Sequence, residues 1–452
     1  MNLAAQAPVQ SLAQELNQAL EDAAPEVLGM LSPLGRRLYY PRGILSQTAE
    51  AKTKAHRYNA TIGIATEGGG PMYLASLHRW LHELAPSQAY SYAPPGGQPE
   101  LRALWRDKLL ADSPSLRGKV FGQPLVTSAI THGLSLVGDL FVEAGDRIVI
   151  PDKLWGNYRL TYEVRLGAEL WTFPTFQARG LNTQGLEECL GQAARGRDKV
   201  LALLNFPNNP TGYMPTPEEG DRIARAMIEQ ARQGTKVVVV CDDAYHGLFY
   251  HLGGRSLTES LFGRLTNAHP NLLAIKLDGA TKELFAWGLR CGFLTFGPGR
   301  CERADAVVAA LDAKVRGATR AVISNSPQLS QSLVHKALMA PEIRSQRQEK
   351  QRVLLARATK VHEIVHDRRF RDSWEAYPFN SGYFMCLRIK GVDAHKLRLH
   401  LLDTEGIGLI SASASDLRVA FSCLELDQIA PLFETLHRTI GRMQAAAPPG
   451  QA

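Results

Sequence analysis

Lys282 sits in the run KLDGATKELFAWGLRCGF, from Lys276 to Phe293, and Arg290 follows it eight residues later. A lysine just beyond an apolar strand, with an arginine two turns further on, suits a phosphorylated aldehyde. The amine forms a Schiff base with the aldehyde carbon, and the guanidinium forks onto the phosphate. Two other segments end apolar strands in the same way. Val200-Leu-Ala-Leu-Leu204 runs into NFPNNPTGY, which carries Asn209, and Val237-Val-Val-Val240 runs into CDDAYHGLFY, which carries Asp242 and Tyr245. A carboxylate such as Asp242 holds a proton on a ring nitrogen by opposite-charge stabilisation. Asp243 is its rival by adjacency, but successive strand residues face opposite ways, so the two cannot share a ligand.

These residues need a frame to hold them. Strands are expected at Arg147–Ile150, Glu169–Phe173, Val200–Leu204, Lys236–Val240, Leu272–Leu277 and Cys291–Phe296, with helical patterns between them such as Pro99–Leu110, Leu134–Val142 and Glu218–Ala231. Near-continuous apolar strands separated by helices argue for an α/β fold, with a mainly parallel sheet between helices. Ligands of such sheets collect beyond the carboxyl ends of the strands, where Asn209, Asp242 and Lys282 all fall. Val126–Gly133 leads into a helix, whose free N–H groups and dipole favour an anion. After a charged helical stretch, Gly382–Arg388 and Leu417–Phe421 read as strands of a smaller α+β domain built from the N- and C-terminal segments. The expected division is 1–75 for the N-terminal arm and part of the small domain, 76–340 for the large domain and 341–452 for the C-terminal small domain. Residues 1–50 read as helical, with Leu12, Leu16 and Leu20 on one stripe and an arm at Pro41-Arg-Gly43. The tail from Ala445 to Ala452 reads as frayed.

In order and spacing, Asn209, Asp242, Tyr245, Lys282 and Arg290 resemble the pyridoxal-phosphate enzymes of the aspartate aminotransferase superfamily, class I/II and fold type I. The resemblance covers roughly Tyr58 to Phe421. It implies pyridoxal 5′-phosphate as cofactor and transfer of an amino group from an amino acid to a 2-oxo acid. Within it, Lys282 is the Schiff-base lysine and proton carrier, and Asp242, in Asp-x-Ala-Tyr, meets the pyridine nitrogen. Asn209 and Tyr245 donate to the ring oxygen, and Trp155 lies against the ring. For the phosphate it assigns Arg290, the N–H groups of Ala129, Ile130 and Thr131, and the Thr281 hydroxyl. Ala129 stands where glycine or serine is usual, and Gly279 where many members carry a phosphate-binding serine. Tyr92, in SYAPPGGQPELR, resembles the tyrosine that crosses to a neighbour's phosphate, which implies a homodimer with shared active sites. On the substrate side the resemblance implies Arg418 on the alpha-carboxylate, the backbone of Asn59–Ala65, chiefly Ile64-Ala65, closing over it, and Arg320 on a second carboxylate. The alternative readings are a lyase or decarboxylase of the same fold, or a non-enzymatic cofactor-sensing regulator.

Composition bears on the other classes. A chain of 452 residues with 45% hydrophobic and 21% charged residues has the make-up of a globular protein rather than a disordered one. The net charge of +7 is scattered rather than blocked, against a nucleic-acid partner. Its one dense stretch, Arg344 to Arg371, reads as a solvated helix face. Six cysteines form no CxxC pair, which fits reduced thiols. No apolar run approaches a bilayer's span, and the N-terminus lacks the charged start and apolar core of a signal peptide, so a cytoplasmic protein without membrane contact is expected. His362-Glu-Ile-Val-His366 satisfies HExxH, yet no third zinc ligand follows in a GxxH extension, and no metal is expected. Gly68-Gly-Gly70 lacks the strand-to-helix context of a phosphate loop.

Overall fold

The computed structural model describes residues 7–41, 43–178 and 180–446. Arg42 of the expected arm and residues 447–452 of the expected frayed tail lie outside the described residues. Seven strands form the large sheet, in the order Leu125–Ser128, Cys291–Gly297, Leu272–Gly279, Lys236–Asp242, Lys199–Asn205, Arg147–Pro151 and Glu169–Phe173. The Leu272, Lys236, Lys199, Arg147 and Glu169 strands pair in parallel, and Cys291–Gly297 runs antiparallel to both neighbours. Helices cover both faces, as the alternation of apolar strands and amphipathic helices requires. Leu125–Ser128 was not among the expected strands; it falls in the segment read as the lead into the helix Ala129–Phe141.

The period of two along a strand decides which face a side chain takes. Val237, Val239 and Cys241 enter one core cluster, and Val238 and Val240 enter the other. By the same alternation Asp242 leaves the strand on the face of Val240, and Asp243 on the opposite side. Leu201 and Leu203 share the Val240 face, so Asn205 at the end of that strand joins Asp242.

A second sheet of four antiparallel strands comprises Trp374–Ala376, Met385–Ile389, Asp416–Val419 and Ile410–Ser411. Beside it the N-terminal segment pairs from far away in sequence, Tyr58–Asn59 running parallel to Ile407–Gly408 in a separate two-stranded sheet. The architecture is the expected α/β body with a smaller α+β part from the two chain ends. The helix Pro341–Val365 departs from the solvated face read in the sequence. Arg357 is only 1% exposed and donates to the Thr66 carbonyl at 2.7 Å and the Ser422 carbonyl at 2.8 Å, with Glu425 at 2.5 Å. Two carbonyl acceptors and the Glu425 carboxylate meet its guanidinium, so burial does not leave its charge unpaired. The N-terminal helix Ala7–Ala23 is only partly covered, and Leu16 is half exposed.

The antiparallel strand brings two distant segments together. Gly292 pairs with Gly279 on one side and Thr127 on the other. A Cβ on Gly292 would lie 2.7 Å from the Ala129 carbonyl carbon and 2.9 Å from the Ile130 nitrogen. Those are backbone atoms, which no rotamer change can move. Gly292→Ala is therefore expected to destabilise the protein by about 1–3 kcal/mol. Chemical denaturation would read this; a wild-type midpoint would contradict the close approach.

Candidate active site

Beyond the carboxyl ends of the central strands lies a cavity of about 290 Å³. The lysine reaches it because the Leu272–Gly279 strand passes directly into a short helical turn, Ala280–Glu283. Asp242 reaches it from the adjacent strand, and Tyr245 from the turn that follows. Asn209, Thr281 and Arg290 also line it, as do Ala129, Ile130 and Thr131 at the start of the helix Ala129–Phe141. Trp155 and Arg418, both expected from the sequence, line it as well.

Asp242 is buried and Lys282 half-buried, and the two groups shift toward each other's range. Burial lowers the Lys282 ammonium to about 8, with Asp242 opposing the shift and Arg290 adding to it. Burial raises the Asp242 carboxyl to about 6, against the Tyr158 hydroxyl, Lys282 and the Ala244 N–H, which favour the ionised form. The Tyr158 hydroxyl donates to Asp242 Oδ2 at 2.7 Å, and the Ala244 N–H to Oδ1 at 3.1 Å. The Lys282 Nζ stands 5.0 Å from the centre of the Tyr245 ring, and burial raises the Tyr245 phenol. The Tyr383 hydroxyl donates to the Lys282 carbonyl at 3.1 Å and steadies that turn.

The two adjacent asparagines divide their work. Asn208 is spent on the turn, donating to the Lys153 carbonyl at 3.0 Å and accepting from the Thr211 hydroxyl at 2.7 Å. Asn209 faces the cavity, and its Oδ1 accepts from Arg418 NH1 at 3.2 Å. Arg418 NH2 donates to the Thr61 carbonyl at 2.8 Å, and the guanidinium carbon lies 4.2 Å over the Phe384 ring. Its Nε is buried without a partner, as is the Thr281 hydroxyl.

Where a phosphate was expected, the three N–H groups are not equivalent. Ala129 has a left-handed φ of 64°, and its N–H donates to the Arg290 carbonyl at 2.9 Å. That hydrogen bond leaves Ile130 and Thr131 as the residues whose amides open the helix. Gly279 cannot take a side chain without a shift, because a Cβ there would meet the Cys291 carbonyl oxygen at 2.7 Å. Thr281, Arg290 and the helix start form the polar end that remains.

Three expected residues stand outside the cavity lining. Ala65 is fully buried and its carbonyl accepts from the Met72 N–H at 2.9 Å; Thr61, Ile62 and Gly63 line the cavity in its place. Arg320 lies on the exposed side of the helix Ala304–Val322 and donates to the Ser324 hydroxyl at 2.6 Å. Tyr92 is 90% exposed. His362 and His366 pack against each other at a helix end, with ring centres 4.3 Å apart. Among the described residues no group of three His, Cys, Asp or Glu is placed to hold a metal, and no helix is long and apolar enough to cross a membrane.

Sequence reasoning missed Tyr158, Asn205 and Thr48. Tyr158 follows Trp155 by one turn, and its N–H donates to the Trp155 carbonyl at 3.0 Å. That spacing puts both rings on one side, a signal available in the sequence. Asn205 holds the cavity floor, accepting from the Asn209 N–H at 2.8 Å and donating to the Asp242 carbonyl at 3.0 Å.

A model of the family described as aminotransferase class I and II matches residues 74–436, and the chain belongs to that family. An aspartate aminotransferase of Bacillus sp. (strain YM-2) is 26% identical over 207 residues, 46% of this chain and 49% of that protein. One from Streptomyces avermitilis is 24% identical over 273 residues, 58% of this chain and 62% of its own. The matches thus span about half to three fifths of these relatives. Among solved structures, an aminotransferase from Anaerococcus prevotii superimposes with a TM-score of 0.80 at 22% identity, covering 91% of this chain and 99% of that one. A kynurenine aminotransferase from Pyrococcus horikoshii gives 0.76 at 17% identity, covering 92% and 98%.

The two shifted groups give two expectations. In competitive acetylation of the cofactor-free protein across pH, Lys282 should react half-maximally near pH 8, while exposed lysines react near their ordinary value of about 10.4. Coincident profiles would refute the buried amine. Asp242 has a folded-state value above its unfolded one of 3.8, so folding binds this proton more tightly. Its ionisation in the folded state costs roughly 3 kcal/mol. Relative to Asp242→Asn, the cofactor-free wild type should lose that stability as pH rises from about 4 through about 6. Parallel stability curves would contradict it.

Proposed function

We propose that this chain is a homodimeric pyridoxal-phosphate-dependent aminotransferase that passes an amino group from an amino acid to a 2-oxo acid. The observation that carries the reading is the meeting of Lys282, Asp242, Arg290 and Arg418 in one cavity, with the lysine amine lowered to about 8. The donor set fits the cofactor. The unpartnered Thr281 hydroxyl, Arg290 and the Ile130 and Thr131 amides would hold its phosphate. Trp155 would lie against the ring, Asn209 and Tyr245 would donate to its oxygen, and Asp242 would keep a proton on its nitrogen.

When bound, pyridoxal phosphate supplies an electron-withdrawing ring that accepts the electron pair left as the substrate loses its alpha proton. Lys282 would bind the cofactor's aldehyde carbon, and its amine, once displaced by substrate, would carry the alpha proton to that former aldehyde carbon, two bonds away. Its lowered basicity supports that task, since an amine near pH 8 is partly neutral at working pH. Tyr158 holds Asp242 ionised and oriented. Arg418, with a donor to spare on Nε, would grip the alpha-carboxylate and set the reacting bond against the ring. Thr61, Ile62 and Gly63 would cover that carboxylate. Thr48 and Phe384 complete an uncharged wall for the substrate side chain.

A partner subunit is supported by two features. Tyr92 stands in solvent, and an apolar groove is lined by Met72, Tyr73, Leu77 and Trp287–Leu289, the segment that precedes Arg290 in sequence. The six unpaired thiols support a cytoplasmic setting.

Lys282→Ala is expected to abolish the visible absorbance that the wild type gains with pyridoxal phosphate, and with it amino-group exchange. Retained absorbance in that variant would sink the assignment. Arg418→Met should raise the KM for the amino donor and lower kcat/KM by about a hundredfold or more, measured by coupled 2-oxo acid detection; an unchanged kcat/KM would remove Arg418 from the substrate.

A further inference from the structure

Each of the two central groups of the cavity is followed by a buried anion: Asp243 after Asp242, and Glu283 after Lys282. Neither anion lines the cavity. Behind the sheet, the Lys276 ammonium, 1% exposed, donates to Asp243 and lies 3.5 Å from Asp278 Oδ2. The Ser260 hydroxyl donates to Asp243 Oδ2 at 2.6 Å, and the Trp105 indole N–H lies 3.2 Å from both Asp278 oxygens. Glu283 is gripped by Lys108 at 3.0 Å and by Arg347 at 2.5 Å. The His246 ring feels the charges of both sets, Lys276 of one and Lys108, Glu283 and Arg347 of the other.

The pyridoxal-phosphate chemistry uses none of these charges, and stability does not account for them. A buried ion pair adds little over well-packed apolar side chains of the same volume, whereas removing one partner is costly. What an ion pair does supply is direction. Lys276 and Asp278 are two residues apart on the strand that delivers Lys282, so both face away from the apolar neighbours Ile275 and Leu277. Arg347 belongs to the helix Pro341–Val365, which Arg357 locks to both chain ends.

We propose that these ion pairs are positioning groups: Lys276 on Asp243, and Lys108 with Arg347 on Glu283, pin the backbone at 242 and 282 from behind and so fix the Asp242 carboxylate relative to the Lys282 amine. The proposal rests on the roles given to Lys282 and Asp242 under Proposed function. Displacements of about 1 Å at a reacting group cost up to about a hundredfold in rate, so such pins act on kcat rather than on affinity.

The test uses the cofactor-loaded protein. Glu283→Gln and Arg347→Met should each lower kcat by about ten- to a hundredfold, with KM within about twofold of wild type, and Arg347→Lys should recover most of the loss. The pH midpoint of the visible absorbance should shift in Glu283→Gln, and affinity for pyridoxine 5′-phosphate, which cannot bond to Lys282, should not change. Lys276→Met alone strands two buried carboxylates and can unfold the chain, so it is paired with the neutral triple variant Asp243→Asn, Lys276→Met, Asp278→Asn. That variant should keep its melting temperature and lose kcat. Unchanged kcat and midpoint, or a loss seen only in KM or in the folded fraction, overturns the proposal. If the wild type itself gains no visible band, the functional reading fails instead.

Discussion

The structure turns on the desolvation of one amine. Water stabilises an ammonium far better than a protein interior does, so a lysine taken inside gives up basicity unless an anion restores it. Lys282 receives only part of that compensation. Asp242 opposes the shift, Arg290 works with burial, and the amine settles near 8. Asp242 bears the complementary strain: its carboxyl rises to about 6, although a tyrosine hydroxyl and a backbone N–H favour its charge. A folded chain without ligand would be more stable with neutral groups here. Unfavourable burial of this kind, in a cavity that also gathers two arginines, is what a site tuned for proton transfer requires.

Topology supplies the rest of the constraint. Parallel strands deliver Asn205 and Asp242 at their carboxyl ends and Lys282 just beyond, and the antiparallel strand Cys291–Gly297 begins where Arg290 meets the start of the helix Ala129–Phe141. Two glycines make this meeting possible, since Gly279 and Gly292 face each other where any Cβ would strike backbone. The hydrogen bond from the Ala129 N–H to the Arg290 carbonyl then fixes the helix start against the arginine. The chain ends close the cavity from the other side through Arg418, whose partners are Thr61 and Asn209.

Much of this was legible in the sequence, for physical reasons that also explain what was not. Apolar runs followed within a few residues by Asn, Asp or Lys announce strands and their carboxyl ends, so Asn209, Asp242 and Lys282 could be placed together in advance. Alternation along the strand separated Asp242 from Asp243. Contacts made across register were invisible. The use of the Ala129 amide depends on Cys291 pairing with Ser128, and the Tyr158–Asp242 hydrogen bond joins residues 84 positions apart. Arg357 and Arg347 read as surface charge because their acceptors lie on remote segments. Ala65 was preferred to Thr61–Gly63 because only the fold reveals that its carbonyl is already taken.

The central claim is a covalent bond between Lys282 and an aldehyde. Borohydride reduction of the protein after incubation with pyridoxal 5′-phosphate, followed by peptide mass analysis, addresses it directly. The account predicts one reduced cofactor per chain on the peptide that contains Lys282. Modification spread over surface lysines, with the Lys282 peptide unlabelled, would contradict it.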